Sequence, residues 1–377
     1  MSMLTFILMS LGHFSVDLYS GALGALQPLL VDRFGMSLTQ AGILGGTLLL
    51  SSSVLQPVYG FISDRFHTRA FTVLAPAVAG IFISALGLVP SFGWLLPMVL
   101  LGGTGIAAFH PQASARVAFG TAERRGSAMA VFISAGTLGY SVGPAVFSII
   151  ASTFGLSGTY WAALLGILVS VFLVKVLPPA PAPSARARGH FDWKALHAVW
   201  KPLTLLYVLV FMRSIVQITF GQFLSLYLHM ERGLPVNTAN FTLSAYLAAG
   251  ALGGFIGGHL ADRFGGRSVI IASMGGAVPF LALFFFGSGW LSLVGLVVGG
   301  FVLLFTIPVN VVMAQELVPS QAGTVSALMM GFAWGAAGLV FIPLTGWASD
   351  HFSMHNVLAS LMVFPVLGFF LAMKLKK

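Results

Sequence analysis

Four ionisable residues lie inside long apolar runs: His13, Asp17, His110 and Arg213. At mid-bilayer such a residue costs about 2.5–3.5 kcal/mol on insertion scales, so it faces a cavity or a partner. His13 and Asp17 are four apart and share one helix face. An imidazole beside a carboxylate can take and release a proton near neutral pH. The same pair could also be a plain hydrogen bond that fixes its helix. His110 precedes Pro111, which loosens the helix hydrogen-bond ladder. Its imidazole suits a proton acceptor or a donor to a substrate, and equally a satisfied structural histidine. Arg213 stays charged at all working pH values. It suits a structural ion pair, including one with Asp17, or an anionic substrate group such as a phosphonate or carboxylate. Gln217 lies one turn on, with Gln222 further along. Tyr140 and Asn310 are weaker cavity candidates.

The elements that position these residues follow from composition. Apolar residues make up 58 % of the 377-residue chain and charged residues 7 %. Mean hydropathy is +0.97. A soluble domain carries about 25 % charged residues, so the chain reads as an all-α polytopic membrane protein. The net charge of +9 sits in short loops, with no basic helix or aromatic-interleaved patch, which argues against nucleic acid. With no cysteine, disulfides, thiolate metal sites and cysteine nucleophiles are excluded. No cofactor or resident metal is expected. No basic region precedes the first apolar run, and His13 and Asp17 interrupt it, so it reads as a retained span.

Crossing a bilayer takes roughly 20 apolar residues. Such runs fall near 4–30, 38–62, 70–89, 93–117, 126–153 and 158–177, then near 203–229, 238–260, 268–287, 290–315, 322–348 and 354–373. That predicts twelve spans in two six-helix bundles, 1–177 and 202–377, joined by a linker at 178–201. Arg213 would sit about ten residues into span 7, or ~15 Å deep at 1.5 Å per residue. Alternate loops hold 15 of the 18 Lys and Arg, which puts that side and both termini in the cytoplasm. In the linker, a proline-rich stretch at 178–183 precedes Trp193, Leu196 and Trp200, one face of a short interfacial helix beside Lys194 and Lys201.

One loop occurs twice. Gly60, Asp64, Arg65 and Arg69 recur as Gly258, Asp262, Arg263 and Arg267, each shifted by 198 residues. Pro111 and Gly126 are echoed by Pro308 and Gly323 at 197. The paired G-x3-D-R-x3-R loop resembles the hallmark of the major facilitator superfamily, and the likeness covers the whole chain. Gly12-His13-Phe14-Ser15-Val16-Asp17, Gln56-Pro57-Val58-Tyr59-Gly60, Gly103-Thr104-Gly105, Phe109-His110-Pro111 and Gln315-Glu316-Leu317-Val318-Pro319 resemble the fosmidomycin-resistance group within it. Span 5 is similar to the superfamily's antiporter motif through Gly139, Gly143 and Pro144, but Val146-Phe147 stands where paired glycines would be.

The resemblance implies a proton-coupled exporter of drugs or metabolites in a bacterial inner membrane, and the protein is expected to work as a monomer. The intramembrane polar residues themselves lead to an expectation of proton coupling through Asp17, His13 and His110, and of cargo contacts through Arg213, Gln217, His110, Tyr140 and Asn310. The resemblance also implies a cytoplasmic latch, with Asp64 at the start of span 11 near Ala322–Val325 and Asp262 at the start of span 5 near Gly126. An importer of a sugar or organic metabolite is the nearest alternative. A non-transporting sensor should carry a large soluble domain. An intramembrane enzyme needs a clustered nucleophile or metal set, which the sequence lacks, and a Walker phosphate loop is absent.

Overall fold

The computed structural model describes residues 3–66, 68–120, 125–178 and 193–375, without the side chains of 63, 64, 66, 118–120 and 125–127. Among the described residues, twelve helices are long and apolar enough to cross a membrane. They are Met3–Phe34, Leu38–Ile62, Ala70–Leu88, Phe92–Val117, Ala128–Phe154 and Ser157–Val176, then Trp200–Met230, Val236–Phe264, Gly266–Phe286, Gly289–Leu317, Pro319–His351 and Met354–Ala372. We refer to them as spans 1 to 12.

Local chemistry sets several of their boundaries. Ser37 caps span 2, accepting from the Gln40 backbone while the Gln40 side chain accepts from Ser37 N–H. Pro57 cannot donate to the carbonyl one turn back, and a wide turn at Leu50–Val54 precedes it. Pro308 has the same effect in span 10, where helix Gly289–Leu303 stops and Thr306–Leu317 restarts. Between spans 8 and 9 the reversal is made at Gly265, whose φ of +83° favours glycine. The linker differs slightly from expectation. A short helix covers Trp193–Ala198, and Trp200 opens span 7 instead of ending an interfacial helix. The proline-rich stretch from 179 lies outside the described residues.

The backbone groups into two compact units: the described parts of 1–187 with 222–244, and of 188–221 with 245–377. In the first unit, span 5 packs on span 1 through glycines. Gly139 and Gly143 face the Phe14 and Leu18 carbonyls, and Gly21 faces that of Tyr140, so closely that no Cβ fits. Tyr19 ties span 1 to span 6, donating to Ala162 O (2.7 Å) and accepting from Gly166 N–H (2.8 Å). Residues 222–244 join this unit through polar contacts at the span ends away from the repeated loop. Ser148 donates to Asn237 Oδ1 (2.9 Å), Ala145 N–H to Ser244 Oγ (3.0 Å) and Asn240 Nδ2 to Ala25 O (3.2 Å).

In the second unit, Gly253 and Gly257 bring span 8 against the Phe301 and Phe305 carbonyls of span 10. Ser273 of span 9 donates to Val302 O (2.6 Å). The repeat seen in sequence returns as contacts. A Cβ on Gly60 would meet Pro111 at 3.5 Å, and one on Gly258 would meet Pro308 at 3.7 Å. Arg69 donates to the Leu177 carbonyl at the end of span 6, and Arg267 donates to Met373 O (3.0 Å) at the end of span 12. Each arginine therefore satisfies a terminal carbonyl of its own repeat's last helix, where a cation also suits the helix dipole.

Candidate functional site

The first unit brings His13, Asp17 and His110 together. Helical spacing on span 1 places His13 Nε2 3.3 Å from Asp17 Oδ2. Span 4 supplies His110, whose Nε2 lies 3.2 Å from Asp17 Oδ1. The two imidazoles stand edge to face, with centroids 5.0 Å apart. His13 is buried, and Asp17 and His110 are part-exposed. The cluster therefore combines a low-dielectric wall with an opening.

The other ring nitrogens fix the proton arrangement. His13 Nδ1 is 2.7 Å from Phe132 O on span 5, and His110 Nδ1 is 2.8 Å from Ile106 O in its own helix. A carbonyl only accepts, so both Nδ1 atoms carry hydrogen. In a neutral ring the Nε2 is then bare, and both bare nitrogens face one carboxylate. Each of the two contacts to Asp17 can become a hydrogen bond only with an added proton. The three ligand-type atoms lie within 4.8 Å of one another. That is a clustered ligand set the sequence alone does not lead one to expect, because span 4 brings His110 in from 93 residues away; its three donors are one short of a closed tetrahedral metal site and equal the count of an open one.

Span 5 shapes this cluster in a way that residue types alone do not reveal. The Phe132 ring stacks on His13 at 4.2 Å, and Phe109 lies 6.2 Å away on another side. Gly136, one turn beyond Phe132, faces the pair itself. A Cβ there would stand 2.5 Å from Asp17 Oδ2 and 2.6 Å from His13 Cε1. The only sequence signal for Gly136 is its place at the head of the span 5 glycine run. Tyr140, a further turn along, is part-exposed and near enough to interact with the Asp17 charge.

The second unit holds the cargo candidates of span 7. Arg213 lies near the middle of its 31-residue helix and is only 5 % exposed. Its Nη1 donates to Gln217 Oε1, one turn on, while its Nε is buried without a hydrogen-bond partner. Within its unit, among the described residues, no carboxylate pairs with it. Tyr246 of span 8 is near enough to act on it electrostatically. Asn310 of span 10 is buried with both amide atoms lacking partners, and Gln222, also buried, belongs to the first unit. Buried polar groups normally find a partner in protein, water or ligand.

The loop-motif residues divide. Arg69 and Arg267 are committed to helix ends, as described above. Arg65, Asp262 and Arg263 are exposed. The side chain of Asp64 and the surroundings of Gly126 lie outside the described residues. Gly139 and Gly143 of the antiporter-like stretch act as helix contacts, and Pro144 sits within the same helix.

Known proteins resemble this chain along nearly its whole length. The family description "Major Facilitator Superfamily" matches residues 9–341 and 206–376. The Fosmidomycin resistance protein of Escherichia coli is 30 % identical over 369 residues, 95 % of this chain and 89 % of that protein. An uncharacterised MFS-type transporter of Bacillus subtilis, YfnC, is also 30 % identical, over 96 % of this chain and 90 % of its own length. Among solved structures, an inward-facing bacterial homologue of the human lysosomal transporter Spinster superposes with a TM-score of 0.83 at 17 % identity, covering 98 % of this chain and 95 % of its own. The nucleoside transporter NupG gives 0.79 at 17 % identity, with both chains fully covered. Family match, full-length relatives and twelve-span fold agree, and the chain belongs to the major facilitator superfamily.

Proposed function

We propose that this transporter exports a small anionic drug or metabolite across a bacterial inner membrane, driven by protons through alternating access. The observation that carries the reading is the hydrogen count at Asp17. With no added proton, the cluster has charge −1 and two bare nitrogens facing a carboxylate. One proton makes it neutral and completes one contact. A second completes the other and leaves charge +1. The cluster thus offers places for up to two exchangeable protons beside an opening. Proton coupling needs such a group.

Arg213 and Gln217 are the proposed cargo contacts, with His110, Tyr140 and Asn310 beside the path. A buried guanidinium that no carboxylate of its own unit pairs with, among the described residues, favours an anionic cargo. The likeness to the Fosmidomycin resistance protein supports the same choice of direction and class. The homologous halves are taken as 1–177 and 202–377, with 178–201 as a tether. The crowded basic loops and both termini are placed in the cytoplasm. The loop aspartates Asp64 and Asp262 are proposed to latch that side, reaching the starts of spans 11 and 5.

The test is a proton-flux assay on protein reconstituted in vesicles, run against a panel of organic anions and neutral metabolites. An outwardly directed cargo gradient should move protons the opposite way. Cargo movement without proton movement would refute coupling. Proton and cargo moving together in one direction would support an importer of the same fold.

A further inference from the structure

We propose that Gly136 is a positioning residue of the proton site, the point at which span 5 holds the Asp17 cluster in its proton-accepting form. This rests on the coupling reading above and deepens it. Span 5 touches the cluster twice, one turn apart. At the first contact, the Phe132 carbonyl accepts the His13 Nδ1–H at 2.7 Å. In an α-helix that carbonyl also accepts the N–H four residues on, which here belongs to Gly136. Holding the hydrogen on Nδ1 leaves Nε2 for Asp17. At the second contact, Gly136 presents bare backbone to the pair. A Cβ would stand 2.5 Å from Asp17 Oδ2, inside any permitted contact, so a side chain at 136 must displace either the 3.3 Å His13–Asp17 pair or span 5 itself.

The two contacts act together. If span 5 moved off to admit a methyl group, the carbonyl would withdraw from Nδ1 and free the other tautomer. If span 5 stayed, Asp17 would be pushed from His13. Either way the proton site changes while Arg213 and Gln217, in the other unit, do not. Among the described residues, the titratable groups acting on Asp17 are His13 of its own helix, His110 of span 4 and Tyr140 of span 5. Gly136 is not among them, so its effect must pass through geometry.

The experiment compares Gly136→Ala with Gly253→Ala in reconstituted vesicles. Gly253 supplies the control, because its Cβ would strike the Phe301 carbonyl in the span 8–span 10 seam of the second unit, where neither span 5 nor the carboxylate is involved. Two activities are measured across a range of pH. One is cargo exchange with no proton gradient, and the other is accumulation driven by a pH gradient. For Gly136→Ala, accumulation should fall at least tenfold with a displaced pH profile, while exchange falls less than threefold. For Gly253→Ala, both should fall in proportion with an unmoved pH profile. Equal loss of both activities in Gly136→Ala, or an unmoved pH profile, would overturn the assignment. Wild-type protein that accumulates nothing under a pH gradient would overturn the coupling reading itself, and this one with it.

Discussion

Replacing Asp17 with Asn removes the cluster's charge while keeping its shape. The amide can donate one N–H to one of the two bare Nε2 atoms that now face the carboxylate. Its oxygen meets the other Nε2, which has nothing to donate. The variant therefore makes one of the two contacts, as the singly protonated wild type does, and is one short of the doubly protonated cluster, a difference of about 1 kcal/mol for a neutral hydrogen bond. Insertion and folding should survive that. Transport energetics change far more. A gradient of one pH unit supplies about 1.4 kcal/mol per proton, or tenfold in concentration. The wild-type cluster has room for one or two exchanged protons, so its accumulation ratio under one unit should be near tenfold or near a hundredfold. The variant has no carboxylate to exchange one and should stay near unity. The assay is uptake of labelled cargo into inverted vesicles, with the amount of variant protein matched to wild type. A ratio above about threefold, more than 0.6 kcal/mol of drive, in well-inserted Asp17→Asn would place coupling elsewhere.

Other outcomes follow from the remaining geometry. Arg213→Lys keeps the charge but loses the planar fork that meets Gln217, and should weaken binding of an anionic cargo about tenfold, a change of roughly 1.4 kcal/mol, measured by ligand-induced fluorescence change. The chain has no cysteine, so Ser148→Cys with Asn237→Cys gives a single engineered pair where the native side chains are 2.9 Å apart. Oxidation should stop transport and reduction should restore it, whereas full activity of the cross-linked protein would show that this seam never opens. Arg69→Ala and Arg267→Ala should each lower stability by about 1 kcal/mol by uncapping spans 6 and 12, seen as similar falls in thermal midpoint in detergent. A large effect at only one copy would contradict their equivalence.

The spans were legible in sequence because lipid demands long apolar helices, and no other element competes for that pattern. The pairing of His13 with Asp17 was legible because helical spacing alone brings them together. His110 was recognisable as a candidate, but its approach to the same carboxylate depends on how span 4 packs on span 1. The Phe132 carbonyl was invisible because every residue has one. Gly136 was visible only as one small residue in a run, since the atoms it makes room for are 119 and more positions away. The role of Arg69 was hidden for the same reason, its partner carbonyl lying 108 residues on. The start of span 7 shifted to Trp200 because an indole suits either an interfacial helix or the first turn of a span.

The two helix-capping arginines explain why the loop repeat is so easy to read. Arg69 and Arg267 bond to carbonyl oxygens, and a carbonyl is the same whatever side chain its residue carries. The partner positions are Leu177 in one copy and Met373 in the other. They were free to drift apart after duplication without loosening the joint. An interaction of side chain with side chain must change both members together or fail. One of side chain with backbone needs only one member to stay, and that asymmetry leaves a fixed arginine on one side and an unremarkable sequence on the other.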